Sequence, residues 1–194
     1  YYRQSSHNRW NAYNAWNRRD ERMAALWVRP LIAYLKETLA PHMRLLDFGC
    51  GYFDVGISLV EHVDRVDGFD VDPAVVSTAI RRLAALPNFG KQKSTIFSRV
   101  DDLPRGYYDA IVVNSVIQYL PSVSAAGSTL ATLASCLRLG PPNSAKIFLV
   151  DVIPPSYSAS LDALDSLLHA ARHRCAIPML KHLFKAATKP AGLE

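Results

Sequence analysis

A single stretch decides the fold: Arg44-Leu-Leu-Asp-Phe-Gly-Cys-Gly-Tyr-Phe-Asp54. Its apolar first half is typical of a strand that is covered on both faces of a sheet. Gly49 and Gly51 predict a tight turn with little side-chain bulk, so a ligand can approach the backbone closely. Asp47 lies at the carboxyl end of the strand, where open α/β sheets bind their ligands. We therefore expect a ligand crevice at this turn, followed by a helix.

A second acidic strand end follows about twenty residues after the glycine turn. Residues 65–70 predict a strand whose last side chain is the carboxylate of Asp70. Doubly wound folds use an acidic side chain at this spacing to bind the hydroxyls of a ribose. A Gly-x-Gly pattern alone occurs by chance in many turns. Its pairing with Asp70 makes the prediction of a nucleoside-type ligand more specific.

Strands and helices alternate along the rest of the chain. Further strands are predicted over 94–100, 108–113 and 146–152. Asp72 and Pro73 predict the start of a helix between the second and third strands. The buried face of that helix is expected to carry Val76, Ala79, Ile80 and Leu83. This alternation predicts an α/β fold with a doubly wound, mostly parallel, Rossmann-like sheet and helices on both faces.

Residues 1–43 are predicted to form a helical cap or lid that precedes a main domain over 44–194. Three aromatic residues in the cap recur at a helical spacing: Trp10, Tyr13 and Trp16. Three roles remain open for this segment. It can pack on the domain as an amphipathic helix, close over the crevice with its arginines near an anionic group, or stack on nucleic acid. The first is favoured, and no nucleic-acid partner is expected. Pro30 is expected to begin a second helix of the cap.

Composition restricts the class of protein. A chain of 194 residues with 49% hydrophobic and 20% charged residues is typical of one globular domain. A net charge of +5 permits an anionic ligand but does not require one. Cys50, Cys136 and Cys175 are odd in number and widely spaced, which predicts free thiols and a cytoplasmic location. No apolar run reaches membrane-spanning length, and no signal-peptide pattern is present. The chain does not begin with methionine, so we expect that some amino-terminal sequence is missing.

Three motifs in order resemble the class I S-adenosylmethionine-dependent methyltransferases. They are Leu45-Leu-Asp-Phe-Gly-Cys-Gly51, Gly68-Phe-Asp-Val-Asp-Pro73 and Tyr108-Asp-Ala-Ile-Val-Val-Asn-Ser-Val-Ile-Gln-Tyr-Leu120. The resemblance covers roughly residues 44–155. It implies a seven-stranded sheet with the cofactor S-adenosyl-L-methionine across the carboxyl ends of the first strands. The third motif looks most like small-molecule methyltransferases, which implies methyl transfer to an O or N atom of a small-molecule substrate.

The resemblance also implies a role for individual residues around the cofactor. Asp47 would hold its amino group, and the turn would line its methionine portion through Gly49, Cys50 and Gly51. The nucleoside would be held by acidic and apolar groups: Asp70 at the ribose, Val71 on adenine, and Asp101 or Asp102 at the adenine amino group. Asn114 and Ser115 would lie near the sulfonium. Gln118 and Tyr119 follow the fourth strand, where related enzymes place substrate-facing groups, and they are the candidate catalytic residues.

Two departures from the family pattern are visible. The usual third glycine of the turn is Phe53, which is expected to narrow the pocket or shift the methionine end of the cofactor. The final antiparallel strands of the family have no counterpart after residue 155, where only helices are predicted, so those strands are expected to be missing from the sequence.

Two other functions remain open. An NAD(P)-dependent oxidoreductase also uses Gly-x-Gly and an acidic strand end, but its third glycine would fall at Asp54. A non-catalytic binding module of the same fold is the other, and Phe53 in place of the third glycine is the feature that indicates it. His169 and His173 lie one helical turn apart; we interpret them as surface residues of a helix and expect no metal.

Overall fold

The computed structural model describes residues 21–87, 94–141 and 144–152, with side chains from Val28 onward. The chain divides into two compact units, one formed by Tyr1–Trp27 and Pro154–Glu194, the other by Val28–Ile153. The second unit contains the sheet and the candidate site. The aromatic lid positions, the two candidate metal-site histidines and the region beyond residue 155 lie outside the described residues.

Five parallel strands form the described sheet. They are β1 (Arg44–Phe48), β2 (Arg65–Phe69), β3 (Ile96–Phe97), β4 (Ala110–Asn114) and β5 (Lys146–Val150). Their order is β3-β2-β1-β4-β5, and every neighbouring pair is parallel. The chain therefore steps outward from β1 in one direction through β3 and then crosses to β4. Such a reversal beside the first strand creates the crevice in which open α/β sheets bind ligands. The predicted doubly wound sheet is confirmed.

The described residues contain four helices. The helix α1 (Glu21–Thr38) precedes β1, and the strands are connected by α2 (Asp54–Leu59), α3 (Pro73–Ala84) and α4 (Val123–Cys136). Two buried clusters pack on the sheet. One contains Leu35 of α1 and Leu59 of α2, and the other contains Leu133 of α4. Since each helix covers a strand with an apolar stripe, burial of those stripes supplies the main stabilising term of the fold.

The prediction that Pro30 begins a helix is wrong, because α1 runs through Pro30 without a break. A proline inside a helix lacks one backbone donor and is normally unfavourable there. The turns that follow it bury Leu31, Leu35 and Leu39 against the sheet. This tertiary packing outweighs the local preference of proline for a first turn.

Two further predictions need correction. The third strand is limited to Ile96–Phe97 instead of 94–100, because this edge strand pairs only with the last two residues of β2. In α3, Val75 is buried whereas Ile80 is 47% exposed, so the buried face is rotated from the expected one. The start of α3 is confirmed, since the side chain of Asp72 accepts a hydrogen bond from the Ala74 N–H and Pro73 occupies the first turn.

Candidate active site

The glycine turn is fixed to the end of β2. Gly49 and Cys50 both donate their backbone N–H to the carbonyl oxygen of Phe69, at 2.7 and 2.8 Å. Gly49 and Gly51 have φ values of 74° and 54°, the left-handed region in which glycine has no steric penalty. A Cβ atom on Gly49 would lie 2.3 Å from Cγ2 of Val116, so the turn and the segment after β4 are in close contact. The sequence uses glycine here because both the conformation and the space require it.

Asp47 has a buried carboxylate with an unused acceptor. The residue is only 2% exposed, and its Oδ2 atom has no hydrogen-bond partner. Burial raises the pKa of Asp47 to about 7; a backbone hydrogen bond from Gly56 lowers it, and the charges of Asp54 and Asp70 raise it further. A buried acceptor without a donor is unfavourable for the fold. It is chemically suited to receive a cationic or N–H donor from a ligand.

Asp70 connects the glycine turn to the start of α3. Its Oδ2 accepts the Gly51 N–H at 3.0 Å, and its Oδ1 accepts the Asp72 N–H at 3.0 Å. A carboxylate oxygen can accept more than one hydrogen bond, so each atom keeps capacity for a ligand hydroxyl. Val71 follows directly and is 55% exposed. The strand end thus offers an oriented carboxylate beside an accessible apolar side chain.

Cys50 contributes bulk to the turn but no reactive thiolate. Its side chain is buried, and burial raises the pKa of the thiol, with the charges of Asp47 and Asp70 adding to the effect. The thiol donates a weak hydrogen bond to the carbonyl of Gly51 at 3.6 Å. A neutral buried thiol of this kind is a packing group.

Asp101 and Asp102 lie in a 3-10 turn, Val100–Asp102, that follows β3. Both are exposed. Their place after the strand next to β2 is where the adenine contact was predicted, and no contact in the structure tests that role. The sequence prediction for these two residues therefore stays a prediction.

The residues after β4 form the opposite side of the crevice. Asn114 ends the strand, and Gln118 and Tyr119 belong to a 3-10 turn, Ile117–Tyr119. The Oε1 atom of Gln118 is buried without a hydrogen-bond partner. Ser115 has a φ of 56°, and its hydroxyl donates a hydrogen bond to the carboxylate of Asp151 just after β5. Asp151 was not among the predicted site residues, although a carboxylate at a strand's carboxyl end was the signal that singled out Asp47 and Asp70.

Phe53, in place of the third glycine, is completely buried and has a φ of 66°. Its ring belongs to the core cluster under the turn. Two glycines make room for it: a Cβ on Gly56 would lie 2.0 Å from the ring, and one on Gly68 would lie 3.0 Å from it. The departure from the family pattern is thus matched by small residues one helical turn later and on the adjacent strand.

Arg82, near the end of α3, is a second residue that sequence analysis missed. Its Nη1 atom donates to the carbonyl of Tyr52 at 2.6 Å and forms an ion pair with Oδ1 of Asp54 at 2.7 Å. Both contacts fall on the segment that leaves the glycine turn. Since Asp72 at the start of α3 contacts Asp70, this helix is attached to the crevice at both of its ends.

Within 21–87, 94–141 and 144–152, no group of three or more His, Cys, Asp or Glu side chains could hold a metal ion. None of the helices in these ranges is long and apolar enough to cross a membrane.

A parallel sheet of this order, with a glycine turn after β1 and a carboxylate after β2, defines a Rossmann-like nucleoside-binding domain. The sequence profile of a family described as a methyltransferase domain matches residues 16–187. The chain therefore belongs to this methyltransferase family, and the resemblance drawn from the three motifs is confirmed.

Solved structures show the same fold at low sequence identity. The YcgJ protein from Bacillus subtilis is 18% identical with a TM-score of 0.52, covering 70% of this chain and 56% of its own. CalS10, an amino pentose methyltransferase from Micromonospora echinaspora solved with bound S-adenosylmethionine, is 19% identical with a TM-score of 0.51, covering 68% of this chain and 52% of its own. The chain thus spans a little over half the length of these two proteins. No curated protein sequence matches it significantly.

Proposed function

We propose that this chain is an S-adenosylmethionine-dependent methyltransferase that moves a methyl group to an O or N atom of a small molecule. The observation that carries the proposal is the unpartnered, buried Oδ2 of Asp47 beside a glycine turn whose amide is held by Asp70. A ligand with an amino group at one end and a ribose at the other would satisfy the first acid and use the remaining capacity of the second.

The residues present fit such a cofactor. Asp47 would accept its ammonium group, Gly49 and Gly51 would let the methionine portion approach the backbone, and Asp70 would accept the ribose hydroxyls. Val71 offers an apolar surface for adenine, and we assign the adenine amino group to Asp101 or Asp102. Cys50 lies in the same turn beside the methionine portion, and Asn114 and Ser115 complete the wall near the sulfonium. The cofactor supplies an activated methyl group, so the chain mainly has to align the acceptor with the carbon–sulfur bond.

The acceptor side is proposed to lie beside the turn after β4. Gln118 and Tyr119 are half-buried there, and the free Oε1 of Gln118 offers an acceptor to a substrate donor. The likeness to CalS10, whose name describes an amino pentose methyltransferase, supports a small-molecule acceptor over a macromolecular one.

Calorimetric titration of the purified protein with S-adenosylmethionine and, separately, with NAD tests the cofactor. We expect saturable binding of the first only. Asp70→Ala should weaken that binding by about tenfold or more, since a hydrogen bond to a charged group is lost and the turn amide is released. Asp64→Ala is the matched control, because this exposed acid interacts with Arg44 at 3.8 Å, where β1 begins. Wild-type affinity in Asp70→Ala, or tighter binding of NAD, would contradict the proposal.

A further inference from the structure

A hydroxyl and a carboxylate meet at the carboxyl ends of β4 and β5. The two strands are paired up to Asn114 and Val150. Directly after them, the Ser115 N–H donates to the Val150 carbonyl at 3.0 Å, and the Ser115 hydroxyl donates to Oδ2 of Asp151. The pair is therefore held by the ends of two adjacent strands, the most rigid support that this fold provides.

Both residues have an unusual backbone. Ser115 has a φ of 56° and Asp151 a φ of 54°. In the described part of the chain, Phe53 in the glycine turn is the only other non-glycine residue with positive φ. The left-handed region is sterically disfavoured for residues with a side chain, and conformations of this kind concentrate at functional sites. All three lie at carboxyl ends of strands or in the turn that follows one.

The pair lies next to the proposed cofactor crevice. β4 is the neighbour of β1, with Val113 opposite Phe48. Val116, the residue after Ser115, touches the glycine turn so closely that a Cβ on Gly49 would lie 2.3 Å from its methyl group. The segment that carries the Ser115 hydroxyl therefore borders the turn that would hold the methionine portion. Asp151 lies beyond it, on the side away from Asp70.

We propose that Ser115 and Asp151 are the acceptor-side catalytic pair of this site, and that the acceptor is a small-molecule amine. This inference rests on the function proposed above. The amine lone pair forms the new N–C bond while the C–S bond breaks and its electron pair stays on sulfur as a thioether. Positive charge thereby moves from sulfur to nitrogen. The Asp151 carboxylate stabilises that charge and accepts the N–H proton, directly or through the Ser115 hydroxyl, and then passes it to water.

An amine fits this pair better than an alcohol does. An alcohol that loses its proton as it attacks gives a neutral ether, so a carboxylate has no product charge to stabilise. An amine attacks in its neutral form through its lone pair and becomes cationic, and this is the charge that a carboxylate stabilises. Asp151 is exposed, which lets the proton leave to solvent after transfer.

The test uses two cofactor analogues and no acceptor. Sinefungin has a cationic amino group where the cofactor has its transferable methyl, and S-adenosylhomocysteine has neither. We expect the wild-type protein to bind sinefungin more tightly, and Asp151→Asn to reduce the ratio of the two affinities by about tenfold or more, the usual effect of losing a charged hydrogen bond. Binding of S-adenosylhomocysteine should be unchanged. Asn is well suited to this position because it tolerates positive φ.

Two further variants make the test decisive. Ser115→Gly removes the hydroxyl while allowing the left-handed backbone, and it should also lower the ratio. Asp64→Asn makes the same chemical change near the start of β2, away from this edge, and should leave the ratio unchanged. If Asp151→Asn does not fold, the affinity ratio measured for Ser115→Gly tests the proposal. An unchanged ratio in the folded variants overturns the catalytic pair alone, whereas a wild-type protein that binds neither nucleoside overturns the proposed function as well.

Discussion

Replacement of Asp47 by asparagine should make the protein more stable and its site inactive. Burial raises the pKa of Asp47 from its ordinary value of 3.8 to about 7. A raised carboxyl pKa means that the folded state holds a proton which the unfolded state releases. By linkage, the contribution of Asp47 to the free energy of unfolding of the wild type therefore falls as the pH rises from about 4 to about 7. The loss is about 1.4 kcal/mol per pH unit, or about 4 kcal/mol in total.

Asp47→Asn cannot lose a proton, so this component of the pH dependence should vanish. The difference in unfolding free energy, variant minus wild type, should rise between pH 4 and 7 and become constant at higher pH. Denaturant titrations at half-unit steps of pH measure it, and the subtraction cancels the titration of all other groups. The same variant should bind S-adenosylmethionine about tenfold or more weakly, since the partner of the ammonium group is neutralised.

A second buried carboxylate provides the internal control. Asp67, in the middle of β2, is fully buried but satisfied by Arg65, Tyr108 and the Thr95 N–H. Asp67→Asn should destabilise the protein by about 1–3 kcal/mol, because charged hydrogen bonds are lost without any relief of burial. A pH-independent difference for Asp47→Asn, or a loss of stability at pH 8, would refute the assignment of the unpartnered oxygen.

The remaining predictions concern the turn itself. Arg82→Ala should weaken S-adenosylmethionine binding severalfold, because the Tyr52 carbonyl loses its donor and Asp54 loses its ion-pair partner. Arg81→Ala removes the adjacent exposed arginine and should leave binding unchanged. Equal affinities of the two variants in calorimetry would contradict a role for the Arg82 contacts. Gly56→Ala should destabilise the fold by about 2 kcal/mol or more by overpacking the Phe53 ring. Phe53→Leu in the same chain should restore part of the loss in thermal melts, and additive effects of the two changes would exclude direct contact.

The sheet could be predicted from the sequence because each of its signals is local. The apolar runs, the glycine turn and the acidic strand ends are each read within a few residues, and alternation with helices limits the topology. The site residues Asp47 and Asp70 could be proposed for the same reason. Both are the last polar group of an apolar run.

What could not be predicted depends on contacts between distant segments. Ser115 and Asp151 are paired only because β4 and β5 are neighbours, and Arg82 reaches the turn only because α3 packs against β3 and returns toward the turn. The prediction that a helix begins at Pro30 is wrong for a related reason, since packing of α1 on the sheet outweighs the local preference of proline. Phe53 shows how a deviant motif residue can be interpreted. Gly56, one helical turn later, leaves the space that the Phe53 ring occupies, and this nearby glycine could have indicated that the ring is buried.

The contrast between the two buried acids carries the functional argument. Asp67 shows that this fold can supply a buried carboxylate with an arginine, a phenol and a backbone amide, all between 2.7 and 2.9 Å. Asp47 lies on the adjacent strand and is nearly as deeply buried, yet one of its oxygens has no donor. A chain selected for stability alone would favour a neutral residue at that position. The unsatisfied oxygen is therefore best explained by a donor that arrives with the ligand, and the unusual backbone at Phe53, Ser115 and Asp151 occurs around the same end of the sheet.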